Sequence, residues 1–207
     1  MTLIKLCGMM RPEDITVCNR LHPDYAGFVF WDRSKRCVSV NTARALIADL
    51  DEGIVPVGVF RNQSLSEVIS AADTGIRMIQ LHGSEDQGFI DLVKEQTGLP
   101  VIKAFTVTDE ESITESLKIS SDHIMYDSGA GSGVRSDWSL LRNIQTPYFL
   151  AGGLDAGNVE EAIKELHPYA VDVSSGIETD GRKDPAKMEA FTEAVRRADL
   201  NHRKEEK

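Results

Sequence analysis

The chain alternates between short β-rich runs and amphipathic stretches from one end to the other. Apolar runs such as Leu3–Cys7, 25–30 and 54–60 stop abruptly, and each is followed by apolar residues at helical spacing. This rhythm recurs about eight times, at roughly 25 residues per unit. Strands that alternate with helices in this way form parallel sheets. Eight such units predict an α/β fold, a single-domain (β/α)8 barrel.

An open, doubly wound sheet is the competing architecture. The segment after the first strand, Cys7-Gly8-Met9-Met10-Arg11-Pro12, lacks the G-x-G-x-x-G pattern of the dinucleotide-binding form of that fold. No composition shift or linker divides the chain. We therefore expect one catalytic barrel domain over residues 1–200 and a charged, frayed tail over residues 201–207. Asn41 and Thr108 are the predicted N-caps of the second and fifth helices, and the last helix is predicted to end at Ala198.

Charge and cysteine content limit the classes of function. The net charge is −10 over 207 residues, whereas a nucleic-acid-binding protein normally carries a basic stripe. No apolar run approaches the roughly 18 residues of a membrane span, and no signal peptide is recognisable. The three cysteines are odd in number and form no C-x-x-C pair. We therefore expect a cytoplasmic protein with reduced thiols, no membrane association and no nucleic-acid partner.

Small and polar residues follow several of the predicted strands. In a barrel these strand ends meet at one face, and the loops after strands seven and eight often bind phosphate. Glycines and serines there offer free amides and hydroxyls, and a short helix starting near Ser175 would point its N-terminus at an anion. The predicted phosphate-binding residues are Gly152, Gly153, Ser174, Ser175 and Gly176, and the other strand-end residues are Cys7, His82, Asp127 and Asp172.

An ordered set of short motifs covers nearly the whole chain. Together they resemble the phosphoribosylanthranilate isomerase family, which is built on a single (β/α)8 barrel, the TIM barrel. The motifs are Lys5-Leu6-Cys7-Gly8, Gly27-Phe28-Val29-Phe30 with Ser34-Lys35-Arg36, Val57-Gly58-Val59-Phe60, Gln80-Leu81-His82-Gly83, Asp127-Ser128 leading to Asp137-Trp138, Leu150-Ala151-Gly152-Gly153-Leu154, Asn158-Val159, and Val171-Asp172-Val173-Ser174-Ser175-Gly176-Ile177-Glu178 leading to Lys183-Asp184.

The resemblance implies an isomerase of tryptophan biosynthesis. The reaction would be the Amadori rearrangement of N-(5′-phosphoribosyl)anthranilate, without a metal or organic cofactor. By similarity Asp127 is the general acid, Cys7 the general base, and Arg36 the ligand of the anthranilate carboxylate. His82 and Asp172 are expected to contact substrate, although each has a purely structural alternative. Other tryptophan-pathway enzymes are candidate partners.

The proposed acid and base place opposite demands on their surroundings. At pH 7 an acid must hold a proton, so the pKa of Asp127 has to be raised, whereas Cys7 must lose one, so its pKa has to be lowered. A histidine-pathway or bifunctional aminoaldose-phosphate isomerase would use an aspartate at the position of Cys7, and the thiol argues against it. A non-catalytic phosphosugar-binding barrel would most simply be recognised by the loss of Cys7 or Asp127, and both are present.

Overall fold

The predicted (β/α)8 barrel is confirmed. The computed structural model of the chain describes residues 1–129 and 138–205. Eight parallel strands follow one another in chain order around a closed barrel, and the eighth pairs with the first. The strands are β1 (Leu3–Cys7), β2 (Tyr25–Val29), β3 (Val55–Phe60), β4 (Met78–Leu81), β5 (Val101–Thr106), β6 (His123–Asp127), β7 (Tyr148–Ala151) and β8 (Ala170–Val173). The part of the quoted motifs at Asp137 lies outside the described residues.

Helices cover the outside of the barrel. They are α1 (Pro12–Leu21), α2 (Val40–Ala48), α3 (Leu65–Ala72), α4 (Gln87–Thr97), α5 (Glu110–Ser116), α6 (Val159–Leu166) and α7 (Pro185–Glu205). Between β6 and β7 the described residues contain only a short 3-10 turn, Ser139–Leu141. A second 3-10 turn, Ser175–Ile177, follows β8 and leads into a small antiparallel hairpin, β9 (Glu178–Thr179) and β10 (Arg182–Lys183). No helix in the described ranges combines the length and the apolar character that crossing a membrane requires.

Three predicted helix boundaries are wrong. Helix α2 begins two residues earlier than expected, because the hydroxyl of Ser39, not Asn41, accepts the backbone N–H of Thr42. Helix α5 is capped by the carboxylate of Asp109, which accepts the N–H of Ser112, so the neighbouring Thr108 is not the cap. Helix α7 continues to Glu205, past the predicted end at Ala198 and into the segment predicted to be a frayed tail.

The barrel interior is arranged in layers. Its central cluster comes from every second residue of the strands: Tyr25, Val57, Met78, Ile102, Ala104, Met125, Phe149, Ala151 and Ala170. Side chains alternate between the two faces of a strand, so the residue two positions further on points inward as well. Met78 is therefore followed by Gln80, Met125 by Asp127, and Ala170 by Asp172. The apolar layer thus supports a polar layer at the carboxyl ends of the strands.

Candidate active site

A cavity of about 460 Å³ opens at the carboxyl end of the barrel. It brings together most of the predicted site residues, namely Cys7, Arg36, His82, Asp127, Gly152, Gly153, Asp172, Ser174 and Ser175. Gly176 does not line the cavity. A Cβ at this position would collide with the carbonyl oxygen of Leu154, so Gly176 permits the loops after β7 and β8 to pack closely. The size of the cavity lies within the usual range for a small-molecule site.

Cys7 is the last residue of β1 and is only 6% exposed. It lies opposite Gly27 of the neighbouring strand, and a Cβ on Gly27 would be 2.7 Å from the Cys7 Sγ. The missing side chain of Gly27 therefore provides the space that the thiol occupies. Burial raises the pKa of the Cys7 thiol, and the Asp172 carboxylate acts in the same direction. The positive charge of Lys5 opposes this effect without overcoming it.

A buried ion pair, Lys5–Asp172, lies next to the Cys7 thiol in the barrel interior. Lys5 lies two residues before Cys7 on the same face of β1, and its Nζ is 2.7 Å from the Asp172 Oδ1 across the closing seam of the barrel. The Lys5 side chain is 0% exposed. The pKa of Lys5 is raised, because the interactions with Asp172 and Cys7 outweigh burial, which acts in the opposite direction. Asp172 thus faces the cavity and is at the same time the counter-ion of Lys5.

Asp127 is held by donors from two loops. The His82 Nε2 lies 3.2 Å from the Asp127 Oδ2, and the backbone N–H of Gly129 donates to Oδ1 at 2.9 Å. Burial favours the protonated carboxyl, but these hydrogen bonds outweigh it and hold the pKa of Asp127 below its ordinary value. The side-chain nitrogen of Gln80 lies 3.2 Å from the other ring nitrogen of His82, which completes a chain of three polar groups.

Arg36 lines the cavity and is paired with the carboxylate of Glu178. Its Nε and Nη2 donate to the two oxygens of Glu178 at 2.5 and 2.9 Å. Lys183 donates to the same carboxylate at 2.8 Å, and Lys35 lies 3.4 Å from it. Burial opposes ionisation of Glu178, yet the contacts with Arg36 and Lys183 lower its pKa to about 2. The part of the Arg36 guanidinium that is available to a ligand is therefore the edge that Glu178 leaves open.

The loops after β7 and β8 carry small residues at the cavity wall. Gly152 has a φ of +93°, and a Cβ there would lie 2.6 Å from the Asp127 Oδ1. Only glycine adopts this conformation without strain, and only glycine leaves room for the carboxylate. On the other loop the Ser174 hydroxyl donates to the Cys7 carbonyl at 3.1 Å. Both loops therefore border Asp127 and Cys7 directly.

The matching family model is that of N-(5′-phosphoribosyl)anthranilate (PRA) isomerase, over residues 4–194. The chain belongs to this family. It is 43% identical over 204 residues to the N-(5′-phosphoribosyl)anthranilate isomerase of Thermoanaerobacter sp. (strain X514), covering 95% of this chain and 98% of that one. The crystal structure of the phosphoribosyl anthranilate isomerase from Thermotoga maritima superposes with a TM-score of 0.85 at 32% identity and covers 95% of this chain and 99% of that one. A further crystal structure of the isomerase, in complex with reduced 1-(o-carboxyphenylamino)-1-deoxyribulose 5-phosphate, has a TM-score of 0.84 at 32% identity, with the same coverage.

For a phosphoribosylanthranilate isomerase, the directions of the two pKa shifts are the reverse of those expected from the sequence. The pKa of Asp127 is lowered and that of Cys7 is raised. The reason is local: His82 and Gly129 donate hydrogen bonds to the carboxylate, whereas the thiol is buried. At neutral pH the ligand-free Cys7–Asp127 pair therefore carries one proton, and it lies on the Cys7 sulfur.

Several residues of this isomerase site were not singled out from the sequence. The signal for Lys5 and Gln80 was present, because each lies two positions before a predicted site residue on the same strand face. Glu178 and Lys183 stand in the quoted family motifs, but no strand-face pattern singles them out, since their role depends on the contacts of Glu178 with Arg36 and Lys183. Trp31 and Arg61 also line the cavity.

Proposed function

We propose that this chain catalyses the Amadori rearrangement of N-(5′-phosphoribosyl)anthranilate to 1-(2-carboxyphenylamino)-1-deoxyribulose 5-phosphate in tryptophan biosynthesis. One observation carries the proposal: Cys7 and Asp127 line one cavity from β1 and β6, and the glycine- and serine-containing loops of β7 and β8 come between them. A phosphate bound to these loops would bring the sugar to both groups.

The proposed rearrangement moves protons between Asp127, the substrate and Cys7. Asp127 gives its proton to the ring oxygen of the ribose, which opens the ring to an iminium ion. Cys7, as the thiolate, removes the proton from C2′. The resulting enolamine loses its 2′-hydroxyl proton and gains one at C1′, which forms the ketone. Apart from the proton movements, no group enters or leaves the substrate.

The protonation state of Cys7 and Asp127 in the ligand-free site is compatible with this order of proton transfers. The active pair carries one proton, on Asp127, and the resting pair also carries one, on Cys7. After ring opening and C2′ deprotonation the enzyme again has an ionised Asp127 and a neutral Cys7, which is the state that the ligand-free site favours. Substrate anions near Asp127 raise the pKa of the carboxyl before the ring opens. We infer that substrate binding supports the transfer of the proton between the two sites.

Turnover of freshly generated phosphoribosylanthranilate, followed by the loss of its fluorescence, tests the proposal. Cys7→Ala and Asp127→Asn should each lower kcat by about 10²-fold or more. Cys37→Ala is the matched thiol control, because Cys37 is exposed and does not line the cavity. Folded wild-type protein without turnover would refute the proposed function, and near-normal turnover by either site variant would refute the proposed acid–base pair.

We also propose that residues 1–200 act as one catalytic domain in the cytoplasm, in contact with other enzymes of the pathway. Three free cysteines, one of them exposed, support a reducing compartment. Cell fractionation, together with crosslinking in intact cells, tests this placement. Recovery outside the cytoplasm, or the absence of any crosslink to a pathway enzyme, would contradict it.

A further inference from the structure

A second arginine stands at the mouth of the cavity. Arg61 directly follows β3, and its guanidinium carbon lies 4.8 Å from the centre of the Trp31 ring. Both side chains line the cavity. Within residues 1–129 and 138–201, no carboxylate forms an ion pair with Arg61. Its charge is nevertheless close enough to Asp127 to contribute to the lowered pKa of that carboxyl.

Trp31 gives this arginine a defined position. The ring is partly buried and packs against a small cluster formed by Cys7, Val29 and Val59. A guanidinium over the face of a tryptophan is attracted to the ring electrostatically. Arg61 is therefore held above a platform that packs against the cluster containing the predicted base.

The two arginines at the mouth differ in how far their charge is balanced. Arg36 is bound through two nitrogens to Glu178, whereas among the described side chains the Arg61 guanidinium meets the Trp31 ring and, at a greater distance, the Asp127 carboxylate. A ligand that brings a carboxylate to this side of the cavity therefore finds the unpaired donors of Arg61. Arginine is well suited to such a ligand, because its planar fork matches a carboxylate.

The order of the strands indicates which end of the substrate reaches Arg61. In a closed ring of eight strands, β3 is diametrically opposite β7. The predicted phosphate loops follow β7 and β8, so a substrate anchored there extends its other end toward the loops after β2, β3 and β4. Trp31 and Arg61 come from two of these loops. They offer an apolar surface and a cation, as an aromatic carboxylate requires.

We propose that Arg61, held over Trp31, recognises the carboxylate on the anthranilate ring together with Arg36. The inference rests on the proposed function and adds a residue that determines specificity for the aromatic acid. Arg61 acts on the end of the substrate remote from C2′. Its contribution is therefore to substrate binding, and it appears in KM rather than in kcat.

Two stable product analogues test the inference, one with the o-carboxyphenyl group and one with an unsubstituted phenyl group. Arg61→Met should weaken binding of the first about 5- to 10-fold, the range expected for loss of a partly exposed charged contact. Binding of the phenyl analogue should change less than about twofold by the same reasoning. Ribose 5-phosphate, as a probe of the phosphate loops, should bind equally well to wild type and variant.

Arg33→Met is the matched control. Arg33 is an exposed arginine on the same loop as Trp31, and it does not line the main cavity. The substitution removes the same charge, so a general electrostatic attraction of the substrate would be weakened equally in both variants. Loss confined to Arg61→Met and to the carboxylated analogue supports the inference.

Three results would overturn it: equal losses in Arg33→Met and Arg61→Met, equal losses for both analogues, or weaker binding of ribose 5-phosphate to Arg61→Met. These outcomes are distinct from failure of the proposed function. If the proposed function fails, the wild-type protein itself neither turns over phosphoribosylanthranilate nor binds the carboxylated analogue.

Discussion

Gly27→Ala should disable the site by displacing the thiol beside it. Gly27 is the direct neighbour of Cys7 in the pairing of β1 with β2. An added Cβ would lie 2.7 Å from the Cys7 Sγ and 3.1 Å from its Cα. Non-bonded heavy atoms normally stay about 3.5–4.0 Å apart, so the thiol has to move by roughly 1 Å.

That displacement affects both stability and rate. Overpacking of a well-filled interior costs about 1–3 kcal/mol of the free energy of unfolding. A misplacement of about 1 Å in a catalytic group lowers the rate by about 10²-fold. We therefore expect Gly27→Ala to lower kcat by about 10²-fold, because Cys7 no longer meets the C2′ proton in line.

Two other glycines separate the loss of activity from the loss of stability. At Gly58 a Cβ would lie 2.7 Å from Ile76 Cδ1 and 2.9 Å from Phe60 Cε2, so Gly58→Ala also overpacks the fold, but away from the thiol. At Gly53 nothing lies within 4 Å of the added atom. Urea unfolding should show loss of stability in Gly27→Ala and Gly58→Ala. Stopped-flow fluorescence should show loss of kcat in Gly27→Ala alone, and Gly53→Ala should show neither loss.

If Gly27→Ala is destabilised like Gly58→Ala but keeps its kcat within about threefold, far from the 10²-fold loss, the position of the Cys7 sulfur does not limit the reaction. A parallel loss of kcat in Gly58→Ala would instead show that general overpacking inactivates the barrel.

Three further predictions concern titratable groups. Because the active and resting forms of the Cys7–Asp127 pair carry the same single proton, kcat/KM should vary less than about threefold between about pH 6.5 and 8.5. A narrow bell-shaped pH profile centred near neutrality would contradict a resting pair in which Cys7 is neutral and Asp127 is ionised. Burial raises the pKa of Cys7 and takes that of Cys18 to about 12, so iodoacetamide at about pH 7.5 should first modify exposed Cys37, and peptide mapping that finds Cys7 modified first would show that its thiolate is already formed. The pKa of Glu178 is about 2 in the folded chain against an ordinary 4.5, so its contribution is complete above pH 4.5 and is lost as the pH falls toward 2. This amounts to roughly 3 kcal/mol, and urea midpoints measured between about pH 6 and 3 should fall more steeply for wild type than for Glu178→Gln, whereas equal slopes would exclude Glu178 as the source.

The architecture and the location of the site follow from local patterns in the sequence. Strand and helix periodicity are set by residues two to four positions apart, so the eight units are recognisable without tertiary information. Parallel strands joined by helices all point the same way, which places Cys7, His82, Asp127 and Asp172 at one end of the barrel. The assignment of Arg36 depended on the family motifs and not on this periodicity.

Helix boundaries were less well determined by the sequence. Ser39 and Asn41 are both good N-caps, as are Thr108 and Asp109, and such residues differ in capping free energy by less than about 1 kcal/mol. Packing of the helix against the barrel is then enough to select between them.

The electrostatics of the site were decided by the tertiary structure alone. Arg36 and Glu178 are 142 positions apart, and Lys5 and Asp172 are 167 positions apart, yet each pair is in direct contact. The pKa of a group depends on its burial and on charges a few ångströms away, whichever strand carries them. The sequence therefore determined which acid and which thiol face the cavity. Only the folded barrel, by burying Cys7 and surrounding Asp127 with donors, decided which of the two holds the proton.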